Sequence, residues 1–200
     1  MTARTEVLPK TASAPAPASR YTRTAMALHW LIAIGIIVNI ALALISESLP
    51  DDWVRPVIDT HKSIGITVLG LAILRLLWRA THRPPPLPAE FPAWEHKSAH
   101  LVHILLYVLI FAMPLSGWMH DSAWVAAATH PMSLFNVIPF PRLGFIMNLP
   151  PALKEHLHTL FGTIHTSLAY VIYVLVGLHV AGALKHEWID RKSVIRRMLP

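Results

Sequence analysis

His165 and His179 bracket the stretch HTSLAYVIYVLVGLH, in which almost every other residue is apolar. Imidazole ligates transition metals and carries protons near neutral pH. A polar ring inside an apolar segment is costly and needs a partner, so both residues are candidates for chemistry. Fourteen helical residues correspond to a rise of ~21 Å and a rotation only ~40° short of four turns. The two rings therefore share one helix face and lie at opposite ends of the segment. One metal ion cannot bridge them. Two separate centres, stacked along the helix, can.

The elements that must position these rings are membrane spans. Of the 200 residues 54% are apolar and 14% charged, against about 25% charged in average soluble chains. Four segments are long and apolar enough to cross a hydrocarbon core of ~30 Å. Helices are expected at about 24–47, 59–80, 97–118 and 155–185, with Arg75 snorkelling from the second and Pro114 kinking or stopping the third. Buried helices of a soluble protein would each need a polar face, and none has one. The fold expected is an all-α integral membrane protein, a four-helix bundle. Residues 1–20, rich in Pro, Ala, Ser and Thr, read as a disordered tail ahead of a membrane domain over 21–200. The Pro-rich connection THRPPPLPAEFPAWEHK is expected to be extended, and the long one, His120 to His156, to lie on the membrane surface.

Thirteen of the Lys and Arg residues fall in the N-terminal tail, the second connection and the C-terminal tail. Only Arg55, Lys62, Arg142 and Lys154 fall on the other side. This bias puts both termini of the expected multi-pass membrane protein in the cytoplasm. No nucleic-acid partner is expected. Cysteine is absent, which excludes disulfides, thiolate metal sites, iron–sulfur clusters and covalent haem attachment.

Position sorts the thirteen histidines. His82, His96, His120, His130, His156, His158 and His186 fall in connections or at interfaces, where solvation alone accounts for them. His29, His61, His100, His103, His165 and His179 lie within or at the edge of spans. With alternating span directions, His29 matches His179 in depth and His61 matches His165, each pair supplied by two helices. Depth alone leaves His103 open as an alternative partner for His179. His100 and His103, an i, i+3 pair, could bind a small metal ion, line a quinone pocket or simply donate hydrogen bonds. Gly65, Gly162 and Gly182 lie about one turn from proposed ligands, and Ala25 and Ala33 flank His29. A flat porphyrin packs only where side chains do not project, although small residues also serve helix contact.

Two neutral imidazoles complete the coordination of a haem iron and leave no open position, which suits electron transfer rather than oxygen binding. Arg20, Arg23 and the basic C-terminal tail are candidates for pairing with inner haem propionates, and Arg55, Lys62 and Lys154 with outer ones. His100, His103 and His158 are further candidates for quinone or propionate contact. Lipid head-group contact is the plainer role for most of the cations.

The LHW of the first span, HKSIG of the second, AHLVHILLY of the third and HTSLAYVIYVLVGLHVAGALKH of the fourth resemble the bacterial cytochrome b561 family. The resemblance covers residues 21–200 and implies a four-helix membrane cytochrome with two b-type haems. Carried onto this chain, the family's iron ligands fall on His29, His61, His165 and His179, in the pairs His29–His179 and His61–His165. The resemblance, not the depth argument, selects His29 over His103. It also implies electron exchange with the ubiquinone pool and, for one type of member, oxidation of superoxide. The leading expectation is thus a di-haem carrier between a donor, superoxide for that type, and ubiquinone, with the outer cations attracting an anionic donor. A second reading is a membrane anchor and conduit for a redox partner protein such as a dehydrogenase or hydrogenase. A third is a transporter with histidine relays, which would be colourless.

Overall fold

A computed structural model describes residues 20–86 and 91–199. The tail expected to be disordered lies outside the described residues except for Arg20, as do residues 87–90 of the Pro-rich connection. Four helices are long and apolar enough to cross a membrane. They are α1 (Arg23–Ser46), α2 (Asp51–Thr81), α3 (Ala93–Ala123) and α5 (Pro151–Leu184), with a single-turn α4 (Gly144–Met147) before the last.

Each start has a local cause. Thr22 Oγ1 caps α1, accepting from Ala25 N at 3.3 Å and from Trp78 Nε1 at 2.9 Å. Asp51 and Asp52 open α2, where negative charge complements the helix dipole. Pro151 opens α5 at a position where its missing N–H costs nothing. The helices overrun their apolar cores at these ends because polar residues continue them into the interface. Pro114 does not stop α3, which runs on to Ala123. Leu109 before it packs on α5, and Ser122 and Asp121 after it anchor the loop, so the helix is held on both sides.

α1 lies along α2, α3 along α5, and α2 against α3. Ile32, Val68, Ala72 and Ile110 knit the first three helices, and Leu109, Ile172 and Leu175 join α3 to α5. At Gly35 a Cβ would fall 2.7 Å from Val68 Cγ2, so only glycine admits the close α1–α2 crossing. α1 and α2 both stand off from α5. Large apolar side chains such as Ile37, Leu77 and Val174 point outward, the arrangement lipid favours.

Tyr21 N donates to Arg197 O at 3.2 Å, Trp30 Nε1 to Met198 O at 2.8 Å and Arg20 Nη2 to Leu199 O at 2.5 Å. The first and last described residues thus meet at one end of the bundle, the terminal end. At the opposite, loop end the long connection is folded rather than free. It contains a short antiparallel hairpin, β1 (Ser133–Leu134) with β2 (Ile138–Pro139). Ser63 Oγ accepts from Phe135 N at 2.9 Å, Ser122 Oγ accepts from Leu143 N at 3.0 Å, and Trp118 Nε1 donates to Pro141 O at 3.0 Å.

Candidate metal centres

At the loop end α2 and α5 aim His61 and His165 at each other, with ring centres 6.2 Å apart and planes at 82°. His61 Nδ1 lies 3.1 Å from Asn39 O, an atom that only accepts, so Nδ1 carries the proton. His165 Nδ1 lies 3.1 Å from Met113 O and 3.0 Å from Ser116 Oγ. The Ser116 hydroxyl itself donates to Met113 O at 2.9 Å, so its oxygen accepts from the imidazole. Both Nε2 lone pairs are therefore left for a metal, with the ring orientations fixed by neighbouring groups.

A cavity of about 440 Å³ surrounds this pair, lined among others by Asn39, Gly65, Gly117 and His120. Asn39 Oδ1 is buried there without a donor, a cost that a group filling the cavity can relieve. A Cβ on Gly117 would fall 3.1 Å from His165 Cε1. Gly117 thus makes room for the imidazole itself. Gly162, expected to make room for porphyrin, is packed instead against His120, whose Cε1 would lie 2.9 Å from an added Cβ. That expectation is corrected, and Gly182 meets nothing within 4 Å.

At the terminal end three imidazoles gather. His29 of α1 and His179 of α5 have ring centres 6.1 Å apart, and His103 of α3 lies 5.2 Å from His179. The same near-perpendicular imidazole pair thus occurs twice along α5. Two imidazoles on opposite sides of one metal, each with a metal–nitrogen bond of about 2.0 Å, have ring centres roughly 6.4 Å apart. The 6.1 and 6.2 Å pairs fit a bis-histidine iron. The 5.2 Å approach is too short for that arrangement. The gap between α5 and the first two helices is crossed by these rings, which suits a flat group between them.

The pattern of the family described as prokaryotic cytochrome b561 matches residues 20–200. The chain belongs to the prokaryotic cytochrome b561 family. It is 34% identical to "Cytochrome b561 homolog 2" of Escherichia coli (strain K12), over 90% of this chain and 91% of that one. It is 28% identical to "Cytochrome b561 homolog 1" of the same organism, over 91% and 98%. "Probable superoxide oxidase CybB" of Yersinia pestis is 24% identical over 90% and 96%. The cytochrome b561 family comprises membrane electron-transfer proteins that bind b-type haem.

Other candidates in this b561 chain have engagements of their own. His100 and Arg23 are exposed, and Arg20 donates to Leu199 O. Lys154 is buried in the first turn of α5. Lys62 pairs with Asp121 at 2.8 Å and Asp59 at 3.2 Å, Arg142 with Asp121 at 2.7 Å, and Arg55 with Asp59 at 3.4 Å. Three of the four loop-end cations are therefore tied to carboxylates. Solvation does not account for several of the seven interface histidines, a second correction. His82 stacks on Trp78 at 3.8 Å, His186 on Phe91 at 4.3 Å, and His120 on His158 at 3.9 Å. The first is an i, i+4 pair at the end of α2, whereas the other two depend on which elements meet, which no single-chain pattern reveals.

Arg75, expected to snorkel, is engaged by the neighbouring helices. Its Nε donates to Tyr107 Oη at 3.1 Å and its Nη1 to Ala25 O at 3.2 Å, bridging α1 and α3. Among the described residues, Glu95, His186 and Asp190 alone form a three-ligand group of metal-binding type. Lys185 Nζ already sits 2.8 Å from Glu95 Oε1 and 2.7 Å from Asp190 Oδ2. The cluster has its cation, and acts as an ion-pair lock between the start of α3 and the turn after α5.

Proposed function

We propose that the chain holds two b-type haems and carries single electrons between superoxide and ubiquinone across the bacterial cytoplasmic membrane. His61 and His165 ligate iron at the loop end, and His29 and His179 at the terminal end. The observation that carries this reading is the recurrence of one imidazole geometry, 6.2 and 6.1 Å, at two levels of the same helix. Haem b there would be held by His61 and His165 at one level and by His29 and His179 at the other, and would supply a one-electron iron couple. The side chains do the rest. Asn39 O, Met113 O and Ser116 Oγ fix the loop-end imidazoles, and the apolar helix faces exclude water.

The cation bias supports a cytoplasmic terminal end, with the loop end facing outward. Two superoxide anions give up one electron each and leave as dioxygen, and one ubiquinone takes both electrons with two protons to become ubiquinol. The Yersinia pestis relative named as a probable superoxide oxidase supports the donor. Arg55, Lys62 and Arg142 line a small loop-end recess that suits an anion, although their carboxylate partners offset much of the charge.

The test is haem content and a reduced-minus-oxidised spectrum of the purified chain, followed by superoxide-driven quinone reduction. Two b-type haems per chain are expected, with His165→Ala removing one and His179→Ala the other. A chain purified without porphyrin, or one keeping both haems after either substitution, overturns the reading. Activity only in the presence of a copurifying protein would replace the superoxide donor with a partner.

A further inference from the structure

Arg75 follows His61 on α2 by fourteen residues, the interval that separates His165 from His179 on α5. That interval spans ~21 Å and returns to nearly the same helix face. At the terminal level α2 therefore presents a guanidinium where α5 presents its second imidazole. The contacts agree with this placement. Ala25, which accepts from Arg75 Nη1, lies one turn before His29, and Tyr107, which accepts from Nε, lies one turn after His103.

Its partners are all neutral. Among the described residues no carboxylate pairs with Arg75, or with Arg79, whose guanidinium lies over the same Tyr107 ring at 5.2 Å. The loop end is built differently, since Lys62 beside His61 is shared by Asp59 and Asp121, and Arg142 is held by Asp121. Among the described side chains, positive charge is compensated at one centre and not at the other. An uncompensated guanidinium within a span is expensive and calls for a role.

We propose that Arg75 sets the direction of electron flow by raising the reduction potential of the terminal-end haem above that of the loop-end haem. The proposal rests on the two-haem reading above. Reduction lowers the charge of an iron centre by one, so a fixed cation nearby stabilises the ferrous form. The effect is strong where water is excluded. Electrons entering at the loop end then run downhill to the terminal end. Arg75 acts here as a positioning charge and not as a ligand.

The experiment is an equilibrium redox titration of the full chain with both haems, followed in the visible spectrum. The native protein should show two one-electron components. Arg75→Gln should lower the higher midpoint, changing the ferrous-to-ferric ratio roughly tenfold at fixed potential, about 59 mV for one electron. The lower midpoint should stay. Arg75→Lys, which keeps the charge, should recover most of the shift, and Tyr107→Phe should scarcely move either component. Two native components that Arg75→Gln leaves unmoved overturn this proposal alone, as does a lysine variant that falls as far as the glutamine one. A native protein without two components overturns the two-haem reading as well. Should Arg75→Gln lose porphyrin, Arg75→His is titrated at pH values that charge and discharge its imidazole, with the native protein as control. The higher midpoint must fall further in the variant as the imidazole loses its charge, and an equal response in the two proteins is equally fatal.

Discussion

His120 and His158 hold α3 and α5 together by a reciprocal exchange: Nδ1 of each ring donates to the backbone carbonyl of the other residue. The distances are 2.9 Å and 3.0 Å, and the rings stack face to face. His158→Ala removes one of these bonds and the stacking, and leaves His120 O without its donor. A loss of about 1–3 kcal/mol follows from that kind of unpaired group. Thermal unfolding in detergent reads it, and an unchanged midpoint would discard the clasp.

Two glycines with similar surroundings should behave differently. An added methyl at Gly162 strikes His120, whereas one at Gly117 strikes His165. Gly162→Ala should lower stability while sparing the spectrum, and combining it with His120→Ala should restore part of the loss. Gly117→Ala should shift or remove the visible band of one haem. A double-mutant cycle on the first pair and a spectrum of the second variant decide the matter.

Gly35→Ala tests the α1–α2 crossing. With Val68 Cγ2 only 2.7 Å from the new atom, the helices must part. The cost expected is about 1–3 kcal/mol, as for other overpacked cores. Val68→Ala in the same chain should recover stability relative to Gly35→Ala alone, and additivity of the two losses would argue against a direct clash.

Much of this was legible in the sequence, and for a physical reason. Lipid admits few backbone solutions, so four long apolar segments could hardly be anything but spans, and the LHW, HKSIG and HTSLAY motifs identified the family. The fourteen-residue interval on α5 singled out two rings that the fold does aim at facing helices. What stayed hidden depends on helix rotation and on polar ends. Gly117, Ser116 and Asn39 serve the loop-end pair, yet nothing in LSGW or VNI announces it. Arg75 passed for a snorkelling residue because its partners, Ala25 and Tyr107, lie on other helices. One available signal was missed: Arg75 repeats the same interval from His61.

The lock beyond α5 gives a prediction in pH. Lys185 and then His186 hydrogen-bond the Asp190 carboxylate and hold its carboxyl below the ordinary 3.8. A depressed carboxyl stabilises the fold above its ordinary value and loses that contribution as pH falls through and below it. The melting temperature should therefore fall on acidification below about pH 4. Asp190→Asn should be less stable at neutral pH and show a flatter acid limb. Parallel curves for the two proteins would exclude the lock.

The stand-off of the first two helices from the fifth bears on how the protein is made. The polypeptide can enter the bilayer as two ready-made hairpins, α1 with α2 and α3 with α5, hinged along α2 and α3. On the two-haem proposal porphyrin would act as a keystone, because iron would then tie together the imidazoles that already face each other across the gap. On that reading a cell short of haem would make a bundle lacking this tie, and the abundance of the protein would follow the prosthetic-group supply.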